Sequence, residues 1–267
     1  MVDFFQTHAV FTVGEFKRHH DSRGKAKRSR SADSLLAYHV KVGHLINVKR
    51  GLYAVVPRGI DQKKYTPDPF LLASRMSSDA VLSHHTALEF YGRAYSVFSK
   101  FTYQTSKAPK PVTFRGMSFQ PVKTPEALKR QNKEGFGVKT HNLKGLKLKV
   151  TTLERTLVDV MDRPKYSGSW EEKWRSLETV EFFNLDEVVE YVKHLGNATT
   201  AAKVGFYLEQ HREELMVPES YLDELKQLCP KQPHYLERKR NKKSSWVTSW
   251  NLMVPDEIID RTWAQVL

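Results

Sequence analysis

Between residues 31 and 56 the spacing of hydrophobic and polar positions changes once. Over SADSLLAYHVKV the apolar residues recur at helical spacing. Advancing about 100° per residue puts Leu35, Leu36, His39 and Val42 on one arc and Ser34, Ala37, Tyr38 and Lys41 on the opposite one. His39 is assigned to packing. Gly43 stands where a helix C-cap glycine is expected, because glycine enters the left-handed region without a steric penalty. Beyond it, residues 45–48 and 52–56 are apolar, β-branched runs separated by Lys49, Arg50 and Gly51, which predicts a β-hairpin tipped by two cations.

Upstream, residues 4–9 predict a short helix. Thr12 and Glu15 have capping-box spacing, so a second helix should begin at Val13 and turn Phe16 inward. Helix, helix and basic hairpin in this order predict a winged helix-turn-helix over residues 1–60. Its last helix would read bases and its wing would grip phosphate; an ordinary packing unit with a solvated turn is the alternative. Residues 57–69 hold three prolines and few apolar positions and are expected to be a linker.

A larger domain is expected over residues 61–267. Residues 70–76 and 81–91 read as short helices. From 96 to 150 short alternating runs, such as PVTFRGMSFQPV and LKLKV, predict strands of a mostly antiparallel sheet. A second capping box at Thr151 and Glu154 opens a buried helix with Leu153, Leu157, Val160 and Met161 at helical spacing. Helices opening at Ser169 and Asn184, one through Ala201, Val204 and Leu208, and one through Leu222, Leu225 and Leu228 complete a helical layer. The predicted fold class is α+β.

Charge sharpens this picture. The chain carries 43 lysines and arginines against 30 aspartates and glutamates, and residues 1–64 alone hold thirteen against five. So local an excess predicts a polyanionic partner, since cations gain by releasing counterions from phosphate. Five of the cations, Arg23, Lys25, Lys27, Arg28 and Arg30, lie just before the helix with the polar arc, where they could hold the phosphates bordering a groove; a solvated tether is the alternative. A single cysteine, Cys229, excludes an intrachain disulfide, and no run of about 18 apolar residues and no secretory signal pattern is found. A cytoplasmic protein without membrane association is expected.

Three other constellations are weighed. His84 and His85 are adjacent on an expected helix and point about 100° apart, so packing suits them better than a shared metal. Asp162, Glu171 and Lys173 match the loose D-x8-E-x-K spacing of a metal-dependent nuclease. There the glutamate and lysine share one face of a strand, whereas these residues fall at the start of a helix. Trp246 and Trp250, beside the cations of 238–243, could stack RNA bases or pack on a sheet. No phosphate-loop, dinucleotide or zinc-protease motif occurs, and neither enzyme activity, cofactor nor metal is expected.

The segments VKRGLYAVVPRG, VLSHHTALEFYG, TTLERTLVDVMD and SWNLMVP together resemble the AbiEi antitoxins of bacterial type IV toxin-antitoxin, abortive-infection phage-defence systems, over about residues 12–255. The resemblance implies a DNA-binding transcriptional autorepressor that recognises inverted repeats in its own promoter; a monomer in solution, with two copies on DNA, is expected. It also implies an antitoxin that counteracts an AbiEii-like nucleotidyltransferase toxin without a stable complex. It supplies no residue for that second activity. Ser34, Tyr38 and Lys41 are the candidate base contacts. Arg23, Lys25, Lys27, Arg28, Arg30, Lys49 and Arg50 are the candidate phosphate contacts.

Overall fold

Local sequence sets the first elements of the chain, which a computed structural model describes over residues 2–22, 31–237 and 243–265. Helix α1 (Val2–Thr7) leads into strand β1 (Val10–Thr12), then α2 (Val13–Ser22), α3 (Ala32–Lys41) and the hairpin β2 (Leu45–Lys49) and β3 (Leu52–Val55). The expected capping box opens α2. The Thr12 backbone N–H donates to Glu15 Oε2 at 2.6 Å, and the Glu15 N–H donates to Thr12 Oγ1 at 3.3 Å. Phe16 turns inward and joins Phe4, Phe11, Leu35, Leu36 and Leu45 in one apolar cluster. The unexpected element is β1, which is too short to show alternation. It pairs antiparallel with β3, giving the sheet order β1-β3-β2.

Next come α4 (Pro69–Ser74), β4 (Val81–Leu82), α5 (His85–Phe90), β5 (Lys100–Thr105), β6 (Val112–Phe114), β7 (Met117–Lys123), α6 (Glu126–Arg130), β8 (Val138–Leu143) and β9 (Leu146–Thr151). The helix expected over 81–91 is therefore shorter. Val81 and Leu82 are strand residues held between β5 and β9, and His84 at φ +54 breaks the chain before α5. The six strands follow the order β6-β7-β5-β4-β9-β8. The expectation of a mostly antiparallel sheet is corrected to a mixed one: β4–β5 and β6–β7 are antiparallel, β4–β9 and β5–β7 parallel. The cause is the hairpin at Arg115 and Gly116. With β6 as the return stroke, β7 runs in the direction of β5.

The remaining elements are α7 (Leu153–Asp162), α8 (Trp170–Glu178), α9 (Leu185–Leu195), α10 (Ala198–Gln210), α11 (Glu219–Gln227), β10 (His234–Tyr235), β11 (Ser244–Val247), β12 (Leu252–Pro255) and α12 (Asp256–Ile259). Ser169 and Asn184 cap α8 and α9 as their sequences predict, while the cap of α7 falls one residue later than expected. Thr152 accepts the Arg155 N–H, and Glu154 instead accepts the N–H of Asn184 at 3.2 Å.

Two units result. Unit 1 comprises residues 1–82, 98–123 and 140–150, and unit 2 comprises 83–97, 124–139 and 151–267. The boundary expected near residue 60 falls inside unit 1, and the segment expected to be a linker is tied down there. The Gln62 amide donates to the carbonyls of Val40 and Leu45 at 3.2 and 2.6 Å, and Arg115 donates to the carbonyls of Gln62 and Tyr65. In the same unit α4 lies on β5, with Phe70 edge-on to Phe101.

Unit 2 is built on α7, α8, α9 and α10. Trp174 is fully buried, edge-on to Trp170 and Tyr207. Gly205, in the middle of α10, is required by contact: a Cβ there would lie 2.0 Å from Trp250 Cζ3. Trp250 is consequently buried and Trp246 is 53% exposed, so the two do not form the shared face that an extended run would give them; a 3-10 turn over Thr248–Trp250 separates them.

Candidate nucleic-acid interface

Helix α3 is closed at both ends by its own sequence. The Ser31 side chain accepts the Ser34 N–H at 3.2 Å. At the far end His44 N–H donates to His39 O and Gly43 N–H to Val40 O, with Gly43 at φ +83, which is the Schellman arrangement. Asp33 in the first turn and Lys41 in the last both suit the helix dipole. The buried side consists of Ala32, Leu35 and Leu36; Ser34, Ala37, Tyr38 and Lys41 all lie on the exposed side. Val42, expected to pack, is exposed because the helix ends at Lys41 and Val42 already belongs to the cap. His39 is half-buried, edge-on to Phe5, with its Nδ1 3.2 Å from Nδ1 of His44; burial first and His44 second push its pKa down.

The hairpin is held to the start of α2 by a bond from Val13 N–H to Gly51 O at 2.9 Å. Arg50 is exposed at its tip. Lys49 is not the free phosphate contact its sequence position suggests. A bulge between Asn47 and Lys49 turns it inward, its ammonium donates to the Met76 carbonyl at 2.7 Å, and burial pushes its pKa down. A phosphate contact at Lys49 would share its ammonium with the Met76 carbonyl, through the donors that this bond leaves over. Arg23, Lys25, Lys27, Arg28 and Arg30 lie outside the described residues, as do 238–242 of the second basic cluster.

Sequence reasoning missed Arg58. It is exposed and, with Lys41, His44, Ile60 and Asp61, lines a groove of about 920 Å³ beside the end of α3. Its only sequence signal was a basic residue in a turn, which residues 57–69 obscured by reading as a linker. On the neighbouring helix Lys17 pairs with Asp33 at 2.9 Å, both side chains exposed, so the pair contributes little to stability.

The other constellations are dispersed. Asp162 accepts hydrogen bonds from Asn197 and Thr200, Glu171 pairs with Arg175 at 2.9 Å, and the Lys173 ammonium donates to the carbonyls of Gly168 and Ser169. Glu171 and Lys173 line a cavity of about 720 Å³ that Asp162 does not reach. His84 and His85 are buried. His84 Nδ1 lies 3.0 Å from Ser83 Oγ, and burial first, with Arg163 second, pushes its pKa down to about 3. His85 Nε2 lies 3.0 Å from Glu172 Oε1. Burial alone would raise the Glu172 carboxyl, but hydrogen bonds from Ser96, His85 and Ser176 outweigh it and hold the pKa below the usual range. Among the described residues no cluster of three or more metal-ligating side chains is found. No helix among them is long and apolar enough to cross a membrane.

The class these observations define is a mixed α+β protein with a strongly basic N-terminal portion. No protein-family model matches the chain, and no curated protein matches it. The crystal structure of the RV2827C protein from Mycobacterium tuberculosis is similar in fold: the TM-score is 0.59, the sequence identity 16%, and the match covers 96% of this chain and 90% of that one.

Proposed function

We propose that the chain binds duplex DNA through a winged helix-turn-helix formed by residues 1–60, and that it acts as a transcriptional autorepressor and antitoxin of the AbiEi type in the bacterial cytoplasm. The observation that carries the DNA reading is the exposed side of α3. Ser34, Tyr38 and Lys41 share it with no acidic residue but Asp33, itself paired with Lys17, and the next element is a hairpin with Arg50 at its tip. A short side chain, a phenol and an ammonium on one helix suit base edges in a major groove, and a cation on an adjacent hairpin suits the flanking phosphates. The antitoxin role rests on the sequence resemblance. In this reading a nucleotidyltransferase toxin is the functional partner and no stable complex forms.

Binding to the chain's own promoter region and to a scrambled duplex tests the proposal. The intact chain should prefer the inverted repeat, with two copies bound. Ser34→Ala and Lys41→Ala should reduce that preference about five- to a hundredfold, as losing a base contact does. Arg50→Ala should weaken both duplexes alike. Equal binding of repeat and scramble by the intact chain would overturn sequence-specific repression. For the antitoxin part, co-expression of the chain with an AbiEii-like nucleotidyltransferase toxin should restore the growth that the toxin arrests, and continued arrest would overturn it.

A further inference from the structure

The three-stranded sheet of unit 2, in the order β10-β12-β11, buries only one of its faces. Leu252 and Val254 of β12 lie in the core with Leu236, and Val247 of β11 packs against them. Side chains alternate along a strand, so the residues between these point outward. Register then decides which outward residues are neighbours. Met253 is the partner of Tyr235 on β10 and of Trp246 on β11, so the three side chains stand in one row across the outer face. Tyr235 is 55% exposed and Trp246 53%. At the usual strand spacing of about 4.8 Å the two rings are roughly 10 Å apart, with the methionine between them.

The sequence sets Trp246 beside Trp250, but the fold buries Trp250 and gives Trp246 the company of Tyr235. Neither exposed ring has a hydrogen-bond, stacking or cation-π partner among the described residues. Singly exposed apolar side chains are ordinary, whereas a contiguous row with a polar rim marks a contact surface. The rim here is polar and cationic. Ser244 and Ser245 precede Trp246, and before them the Lys243 side chain is 92% exposed, 3.7 Å from Asp256. In sequence, the connection that joins β10 to β11 carries five cations over residues 238–243 and no acid.

We propose that the outer face of this sheet binds a single-stranded nucleic acid, with unpaired bases stacked on Tyr235 and Trp246 and Met253 filling the space between them. The inference is independent of the DNA reading of unit 1. Ring faces open to solvent suit bases that are themselves unstacked, and a duplex keeps its base faces covered. Cations close to the rings suit the phosphates of the same strand. A protein partner fits less well, because three half-exposed side chains fall far short of the roughly 800 Å² per partner that a stable protein interface takes up.

The test measures binding of the full chain to fluorescently labelled single strands of RNA and of DNA, of one mixed sequence about 16 nucleotides long, and to the matching DNA duplex. The wild type should bind single strands. Tyr235→Ala with Trp246→Ala should weaken that binding at least about tenfold, since each stacked base is worth about five- to 150-fold. The slope of log K against log[salt] should stay as in the wild type, because no cation is removed. Tyr235→Phe with Trp246→Phe should recover most of the affinity. Both variants should keep the wild-type melting temperature and the wild-type affinity for duplex. Binding of RNA alone would identify the strand as RNA, and equal binding of both would mean stacking without a sugar contact; either supports the site. The proposal is overturned if the wild type binds neither strand, if the double alanine variant binds them as the wild type does, or if duplex and single-strand binding fall together. A change of oligomeric state in the alanine variant, with single-strand binding intact, would make this face a protein interface and overturn it as well.

Discussion

In unit 2 a cation generally faces an anion: Arg163 with Asp162, Arg175 with Glu171, Lys193 with Glu224, Arg212 and Lys226 with Glu219, Arg261 with Glu178. Its buried Arg155 is satisfied from several sides. It lies 3.5 Å from Asp159, donates to the carbonyls of Glu134 and Phe136, and lies over the ring of Tyr191, whose hydroxyl donates to Asp159. In unit 1 the acids are few and already engaged, Asp33 with Lys17, Glu15 with Arg75 and Asp68 with Lys144. Lys41, Arg50, Arg58, Lys147 and Lys149 remain exposed. The same residue types thus fasten one unit internally and leave the other with an uncompensated field. A field of that kind speaks to partners and not to folding.

The largest effect that should separate the units is on stability. Gly205→Ala forces a methyl into the Trp250 ring and should destabilise unit 2 by about 3 kcal/mol, visible as a lower denaturation midpoint. Leu36→Ala should cost unit 1 about 3 kcal/mol by opening a cavity under α3, and DNA binding should fall with it, whereas Gly205→Ala should leave the residual folded protein with its full salt response.

Next, taken per pH unit, is the pH dependence of unit 2. His84 is buried and neutral, with its pKa pushed from 6.5 down to about 3. Below 6.5 the unfolded chain therefore binds a proton that the folded chain refuses. The stability associated with this residue is whole above pH 6.5 and declines by about 1.4 kcal/mol per pH unit as pH falls toward 3. His84→Gln should flatten that limb of a melting-temperature profile; an unchanged profile would mean that another group governs it.

Smaller still is the contrast between adjacent residues at the β2–β3 hairpin. Lys49→Ala leaves the Met76 carbonyl without its donor and should cost about 1–2 kcal/mol of stability while leaving the salt slope alone. Arg50→Ala should leave stability within about 0.5 kcal/mol and reduce the slope by about 0.9. If Lys49→Ala changed the slope and Arg50→Ala the stability, the division between fastening and free cations would be wrong at this turn.

Much of this was legible where local physics decides. Thr12 and Glu15, Ser169 and Asn184 mark helix starts because an orphan N–H needs an acceptor within three residues. Gly43 marks a stop because α3 must leave through positive φ. The polar side of α3 was readable from period alone. What was not readable depends on distant partners. Strand β1 exists because β3 offers it a pairing edge, and β5 and β7 are parallel because β6, which lies between them in sequence and at the sheet edge in space, makes the return stroke. Lys49 faces inward because a bulge aims it at Met76, 27 residues away in sequence. Trp250 is buried because Gly205 on another helix leaves room for its ring. A hairpin lysine such as Lys49 and a turn glutamine such as Gln62 look alike in sequence whether they face water or a carbonyl.

The salt dependence of duplex binding by the full chain tests the proposed DNA contact most directly. With six to eight phosphates neutralised by unit 1, log K should fall against log[salt] with a slope of about −5 to −7. A slope near zero, at any affinity, would contradict it.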